Sequence, residues 1–305
     1  EILDTADRCT IIRRGKLIDV VDVTSTTKGE LASKMVGRPV DFKVPKEPCK
    51  PGAAVLEIRN LNVIKEKKLP AVNGFSLDVR AGEIVGIAGV DGNGQSELVY
   101  ALTGLMPIES GNVILNGTDI SYYSIRKRSE TGLGHIPEDR QKHGLVLQYS
   151  IAENMVIKSY YTKDFQKHGF LNREKIDAFA EQVASEFDVR SGRGIESKAG
   201  NLSGGNQQKA ILGREIVLSP KLLIAVNPTR GLDVGAIESV HKNLVKCRDG
   251  GMAILLISFE LDEIFNLSDR IAVMHRGALS GIVKPEETTA CDVGLMMAGM
   301  GGSND

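Results

Sequence analysis

No stretch of the 305-residue sequence approaches the roughly 20 consecutive apolar residues needed to span a bilayer, and Glu1-Ile2-Leu3-Asp4 does not begin a signal peptide. A chain of this kind that serves a membrane is expected to do so from the cytosol, through a partner. Charge of one sign is lacking too. Lys and Arg number 38 against 39 Asp and Glu, leaving −1, and a pI near 6.6 gives no electrostatic case for nucleic acid. Cysteine is sparse: Cys9, Cys49, Cys247 and Cys291 stand far apart and in no metal-ligand spacing, which fits reduced thiols in a cytosolic protein. The histidines His135, His143, His168, His241 and His275 fall in separate elements, so no metal site is expected among them. What remains is 42% hydrophobic and 25% charged, room for one large domain plus extra material or for two modest ones.

The first thing present is a repeat. Residues 1–37 align without gaps to 263–299, with 12 identities in 37 positions and a constant offset of 262. Glu1-Ile2, Asp7-Arg8 and Arg14-Gly15 match Glu263-Ile264, Asp269-Arg270 and Arg276-Gly277, and Thr26-Thr27 and Gly37 match Thr288-Thr289 and Gly299. The chain therefore reads as the tail of one domain followed by a second, entire copy. On this reading residues 1–38 are the C-terminal tail of a preceding domain, 39–53 a linker, 54–300 the second domain and 301–305 a tail. Pro39, Pro45, Pro48 and Pro51-Gly52 predict an extended, exposed linker.

Beyond the linker, Leu56-Glu57-Ile58 and Phe75–Val79 alternate like half-buried antiparallel strands, while Glu83–Ala88, Leu222–Val226 and Ala253–Ile257 are continuous apolar runs expected to be buried strands. Helices are expected after Ser96, over 172–188 (Ile176, Phe179, Ala180, Val183 and Phe187 at helical spacing) and from about Val234. Strands alternating with helices after residue 80 predict α/β architecture, with a mainly parallel sheet and an antiparallel β addition near 55–79. The polar turn Asn201-Leu202-Ser203-Gly204-Gly205-Asn206-Gln207-Gln208-Lys209 leads into a helix, with Ser203 at the N-cap position. A helix N-terminus of this kind presents free N–H groups, a seat for phosphate.

Residues 89–96 fit the phosphate-loop pattern G-x-x-x-x-G-K-[ST] at Gly89, Gly94 and Ser96, but Gln95 stands where Lys belongs. Gly89, Asp91, Gly92, Asn93, Gly94, Gln95 and Ser96 are the candidate nucleotide-binding residues, their backbone N–H groups able to cradle phosphate. A charge-assisted contact contributes roughly 1.5–3 kcal/mol, so losing the ammonium weakens binding by about ten- to a hundredfold.

The order strand, glycine loop, helix, helical insert, Leu202-Ser203-Gly204-Gly205-Asn206-Gln207, then Leu222–Asp233 resembles the ATP-binding domain of ABC transporters over residues 55–300. The resemblance implies an ABC-type P-loop NTPase fold with a helical signature subdomain at about 145–218, and ATP and Mg²⁺ as cofactors. It makes Leu202–Gln207 the signature, Leu222–Asn227 the Walker B strand and Arg230–Asp233 the D-loop, with Asp233 its acid. The departures fall together. Val226 and Asn227 stand where the family carries a magnesium-ordering Asp and a catalytic Glu, and Phe259 where it carries a His. No Gln sits at the expected place near Pro137-Glu138-Asp139-Arg140, and no aromatic in 61–70 is placed to stack on adenine. Magnesium wants oxygen ligands and Val226 offers none, while Asn227 can orient water but cannot accept its proton.

Two explanations are open: a decayed domain kept for packing, or division of labour. Such domains work as head-to-tail pairs, so by the family's logic Ser203, Gly204 and Gly205 serve ATP bound by the absent first copy, with no catalytic residue or metal ligand in the local site. Ile136–Arg140 and the signature ending Asn206-Gln207-Gln208-Lys209 are similar to bacterial simple-sugar importers, and more closely to their nucleoside-importing relatives. That implies two integral membrane permeases and, indirectly, an extracellular substrate-binding lipoprotein as partners, at the cytoplasmic face of the membrane. Ser150–Met155 is where such domains meet the permease's coupling helix, or else ordinary helix surface. The alternatives are a sugar importer, a soluble twin-ABC protein acting on ribosomes or DNA, and a scaffold without nucleotide.

Overall fold

Leu222–Val226 and Ala253–Ile257 are buried at every position, because helices or a second sheet cover both of their faces. In the computed structural model, which describes residues 2–13, 15–39, 44–65 and 69–300, they form the middle of a six-stranded sheet. The chain runs α1 (Ile2–Thr5), β1 (Arg8–Arg13), β2 (Lys16–Asp22), α2 (Lys28–Val36), β3 (Ala54–Ile64), β4 (Pro70–Arg80), β5 (Ile84–Ala88) and α3 (Gln95–Thr103). Next come β6 (Ser110–Leu115), β7 (Thr118–Asp119), α4 (Ile125–Glu130), β8 (Leu133–Ile136), α5 (Ile151–Val156), β9 (Gln166–Lys167), β10 (Phe170–Leu171), α6 (Arg173–Glu186) and α7 (Gly204–Val217). The last are β11 (Leu222–Val226), α8 (Val234–Asp249), β12 (Ala253–Ile257), α9 (Leu261–Leu267), β13 (Arg270–His275), β14 (Ala278–Val283) and α10 (Ala290–Met297).

The main sheet has the order β14-β13-β5-β12-β11-β8, parallel except for β14, and β4-β3-β6-β7 form an antiparallel sheet against one face of it. Period-2 alternation splits the strands between two cores. Leu222, Ile224 and Val226 face the antiparallel sheet and α3, whereas Leu223 and Ala225 face the helices. The expected α/β class with an antiparallel addition is the fold found. Val183 of α6 and Phe187 at its C-cap meet α7 at Gly213, where a Cβ would come within 2.8 Å of Val183. All four cysteines are free.

The sequence repeat is matched in backbone. β1, β2, a 3₁₀ turn and α2 recur 262 residues on as β13, β14, a 3₁₀ turn and α10, and the hairpin bulge falls between Ile11 and Ile12 in one and between Val273 and Met274 in the other. Both helices open with a capping box, Thr27 with Glu30 and Thr289 with Asp292. The surroundings differ. β13 pairs with β5, whereas β1 has only β2 beside it among the described residues, so Ile12 is 63% exposed where its counterpart Met274 is 0%. α2 lies against α8, and Arg38 pairs with the buried Glu238 at 2.7 Å.

The expected exposed linker is extended but not free. Its residues 40–43, like the tail 301–305, lie outside the described residues. From Val44 onward it is strapped to the domain. Lys46 Nζ donates to the carbonyls of Leu267 (3.1 Å) and Ser268 (2.6 Å) at the C-terminal end of α9, and Arg248 Nη1 donates to Glu47 O at 2.7 Å. Prolines fix the path; these buried polar partners fix where it lies.

Candidate nucleotide-binding site

The glycine loop connects β5, buried on both faces, to α3, and its shape follows from its glycines. Gly92 (φ 87°) and Gly94 (φ 105°) occupy the left-handed region, and a Cβ on Gly94 would come within 2.2 Å of Ala71 O. Asn93 pins the loop to the β13–β14 turn: its Oδ1 accepts from Arg276 N (3.2 Å) and its carbonyl from Gly277 N (2.8 Å). At the other end of α3, Arg128 donates to the carbonyls of Ala101 (3.0 Å) and Leu102 (2.8 Å), capping the helix from a buried position. Asp91 and Gly92 are exposed, Asn93 and Ser96 half-buried, and Gly89 and Gly94 buried.

Gln95 lies in the concavity of the loop. It is 3% exposed, its Nε2 donates to Val90 O at 3.2 Å, and it sits so close to Gly89 that a Cβ there would meet the amide at 2.3 Å. A neutral amide thus occupies the place where the loop pattern puts an ammonium. Beyond Ser96 is a cavity of about 80 Å³ lined by Ser96, Tyr100, Pro137, Glu138, Asp139 and Val226. Glu138 and Asp139 were not among the expected site residues; the signal available for them is an acidic pair one residue beyond the strand Leu133–Ile136.

Each acid has one oxygen engaged. Glu138 pairs with Arg230, and Asp139 Oδ1 accepts from the backbone N–H groups of Gln141 and Lys142, which hold its carboxyl below the usual range. Among the described residues no group of three or more His, Cys, Asp or Glu is placed to hold a metal ion. Of the side chains lining the cavity, Val226 offers a cation no oxygen, whereas Ser96, Glu138 and Asp139 do.

Asn227 and Phe259, on adjacent strand ends, are joined. Asn227, at φ 43° and 6% exposed, accepts at Oδ1 from Phe259 N (3.0 Å), while its Nδ2 is buried without a partner. The amide oxygen keeps a second lone pair, and the donor is buried away from solvent. A buried unmade donor costs about 1–3 kcal/mol, so an acceptor arriving there is stabilised.

The signature turn is built separately. Ser203 is exposed and caps α7, its Oγ accepting from Asn206 N, and Asn206 Oδ1 in turn accepts from Arg190 N at 2.9 Å. Leu202 and Gln207 are buried, Gly204 and Gly205 half-buried. Asp233 is exposed and caps α8 through Ala236 N at 2.9 Å. α7 is packed on α5, α6, α8 and β8, whereas the glycine loop rests on β4 and the β13–β14 turn, so the two candidate phosphate seats have different neighbours.

Within Ser150–Met155, Ser150 and Glu153 remain half-buried at the surface. Ile151, Ala152, Asn154 and Met155 are at most 2% exposed, because the capped α5 turns its apolar face into the helical core. The open groove lies next to it: a cavity of about 340 Å³ reaching Leu105, Ile125, His135, His143, Lys158 and Glu215. His135 and His143, apart in sequence, meet there.

Burial pushes the His135 imidazole down to about 4 against the opposing pull of Glu215, with Lys158, His143 and Arg214 adding to the fall. Its Nε2 has no partner, as suits a neutral ring. Burial works to raise Glu215, but Lys158 (2.6 Å), Arg214 (3.1 Å) and the N–H of His135 (3.1 Å) outweigh it and the carboxyl ends low. A folded His value below the unfolded one means that the unfolded chain takes up the proton first. Stability is full above about 6.5, drains as pH falls toward about 4 and loses about 3 kcal/mol through this group. Urea midpoints at pH 7 and pH 4.5 are expected to fall further apart for the native chain than for His135→Gln; equal spacing in the two refutes the assignment.

A glycine loop between a buried parallel strand and a helix, an antiparallel sheet over it and a helical subdomain with its own capped turn define an ATP-binding cassette. The chain belongs to the ABC transporter family, whose model matches residues 72–230. It is 54% identical to the nucleoside import ATP-binding protein NupA of Lactococcus lactis subsp. cremoris (strain MG1363), over 98% of this chain and 59% of that protein. It is also 54% identical to the guanosine import ATP-binding protein NupO of Bacillus subtilis (strain 168), over 96% and 57%. The ribose import ATP-binding protein RbsA of L. lactis subsp. cremoris (strain SK11) matches at 36%, over 98% and 59%. The chain thus spans just under three fifths of the length of these relatives. Among solved structures, a nucleotide-free ATP-binding cassette from an ABC transporter superposes with a TM-score of 0.64 at 22% identity, over 76% of this chain and 92% of that one.

Proposed function

We propose that this chain is the second ATP-binding cassette of a bacterial ABC importer for nucleosides, preceded by the tail of a first cassette. In this reading the signature completes a site for ATP held by the first cassette, while the local site has lost its chemistry. The observation that carries it is the contrast between the two seats. The Ser203-capped turn is intact and open, whereas Gln95, Val226, Asn227 and Phe259 leave the local loop without ammonium, metal ligand or base. The repeat, matched down to its bulge, supports a tandem origin. The identity of 54% with two nucleoside-class import proteins, against 36% with a ribose one, favours nucleosides over sugars.

ATP and Mg²⁺ are then bound mainly by the first cassette. The partners are two integral membrane permeases at the cytoplasmic face of the membrane, docked at the groove beside α5, and indirectly a substrate-binding lipoprotein. Nucleic acid is not among the partners, for want of charge. Affinity purification of the full-length protein from membranes is expected to bring integral membrane permeases, and nucleosides to stimulate ATP turnover in liposomes. Stimulation by sugars alone makes it a sugar importer; recovery on ribosomal particles removes the transporter reading.

A further inference from the structure

The segment after β8 is fastened along α7 turn by turn. Arg140 lies against Gly204, where a Cβ would come within 2.8 Å of its Nη2. Gln141 Nε2 donates to Gln207 Oε1 at 3.4 Å, and Gln207 Nε2 donates onward to Ala199 O at 3.1 Å. Gly144 abuts Ile211, and its carbonyl accepts from Arg214 Nη1 at 3.0 Å. Positions 204, 207, 211 and 214 share one face of the helix, so residues 140–144 form a rail along it.

The start of the rail is tied to a second element. Arg140 Nη1 donates to Arg230 O at 2.7 Å, in the segment between β11 and α8, and the Arg230 guanidinium returns to Glu138. A Cβ on Gly231 would lie 3.7 Å from Arg140 Nη2. Arg140 thus touches the signature turn and the D-loop at once. No carboxylate pairs with it among the described residues, and its Nε is buried without a partner. Its positive charge, partly open to solvent, lies beside the positive end of the α7 dipole.

We propose that Arg140 is a positioning residue that makes the Ser203–Gly205 turn and the Arg230–Asp233 segment one rigid unit, delivered together to the nucleotide of the opposite cassette. The idea rests on the reading that the signature serves another cassette's ATP. It deepens that reading by naming what couples signature to D-loop. Besides the fork, each element has its own cap, Ser203 on α7 and Asp233 on α8, and the two meet at Gly205, where a Cβ would lie 3.2 Å from Ala236.

The test uses the full-length protein assembled with its permeases, with Ser203→Arg measured in parallel. Arg140→Gln is expected to lower kcat for ATP roughly tenfold, as for loss of one charge-assisted contact, with KM changed less than about twofold. Arg140→Lys, which keeps the charge and reaches the Arg230 carbonyl, is expected to recover at least about threefold of that loss. If Ser203→Arg abolishes turnover but Arg140→Gln leaves kcat unchanged, the positioning role is overturned while the shared site stands. A loss of kcat that tracks the folded fraction by circular dichroism, or no recovery with Lys, also overturns it. If Ser203→Arg itself has no effect, it is the shared site that falls.

Discussion

Ser203→Arg, made in the full-length protein with a first cassette present, is expected to abolish ATP turnover, by at least about a hundredfold, the scale on which removing one oriented donor from a reacting phosphate or oxyanion acts. Ser203 is the exposed first residue of the α7 turn, and its Oγ holds the Asn206 backbone N–H in place. The half-buried Gly204 and Gly205 next to it leave the helix N-terminus bare, so that its N–H groups can approach phosphate. An Arg at this point removes the cap and sets a long side chain over the bare face. Ser203→Ala separates the two effects. It removes the cap, worth about 1 kcal/mol, without blocking the approach, and is expected to cost only a few-fold in turnover. Measured in permease-containing liposomes, unchanged turnover in Ser203→Arg removes the idea that this signature completes another cassette's site.

The parts of the fold that were legible in the sequence are those where one local rule decides. Leu222–Val226 and Ala253–Ile257 read as buried strands because strands covered on both faces have no need to alternate. The cap at Ser203 was legible because a hydroxyl before a glycine pair has few other uses at a helix start. The repeat kept its register through the bulge at Ile11–Ile12, so alignment alone exposed it. What stayed illegible depends on which strand ends meet. Nothing local says that the Asn227 amide will accept from Phe259 N–H, since the pairing exists only because β11 and β12 end side by side. Prolines announced an extended linker, but not that Lys46 would cap the end of α9. The helical spacing of Ile151, Ala152 and Met155 could equally have faced a partner; burial of all three in the subdomain core is a tertiary outcome.

Purified alone, this chain is expected to hydrolyse ATP no faster than background in the presence of Mg²⁺. Loss of a positioned general base costs about 10²–10⁴ in rate, and Asn227 cannot stand in, because an amide does not take a proton near neutral pH. At the Walker B position Val226 has no oxygen to offer a cation, and of the nearby acids Glu138 pairs with Arg230 while Asp139 Oδ1 accepts from the backbone. Gln95 supplies a neutral amide, bonded to Val90 O, in place of a cation. Groups that act as a unit are not additive, so restoring one is expected to restore nothing. Val226→Asp with Asn227→Glu in the isolated chain still lacks the opposing signature. Calorimetry gives the companion result: any ATP affinity of the loop rests on backbone N–H groups, and is expected to be weak and little changed by Mg²⁺. Robust turnover that requires Mg²⁺ and disappears in Gln95→Ala would mean that the local site works, and the division of labour between two cassettes would have to be abandoned.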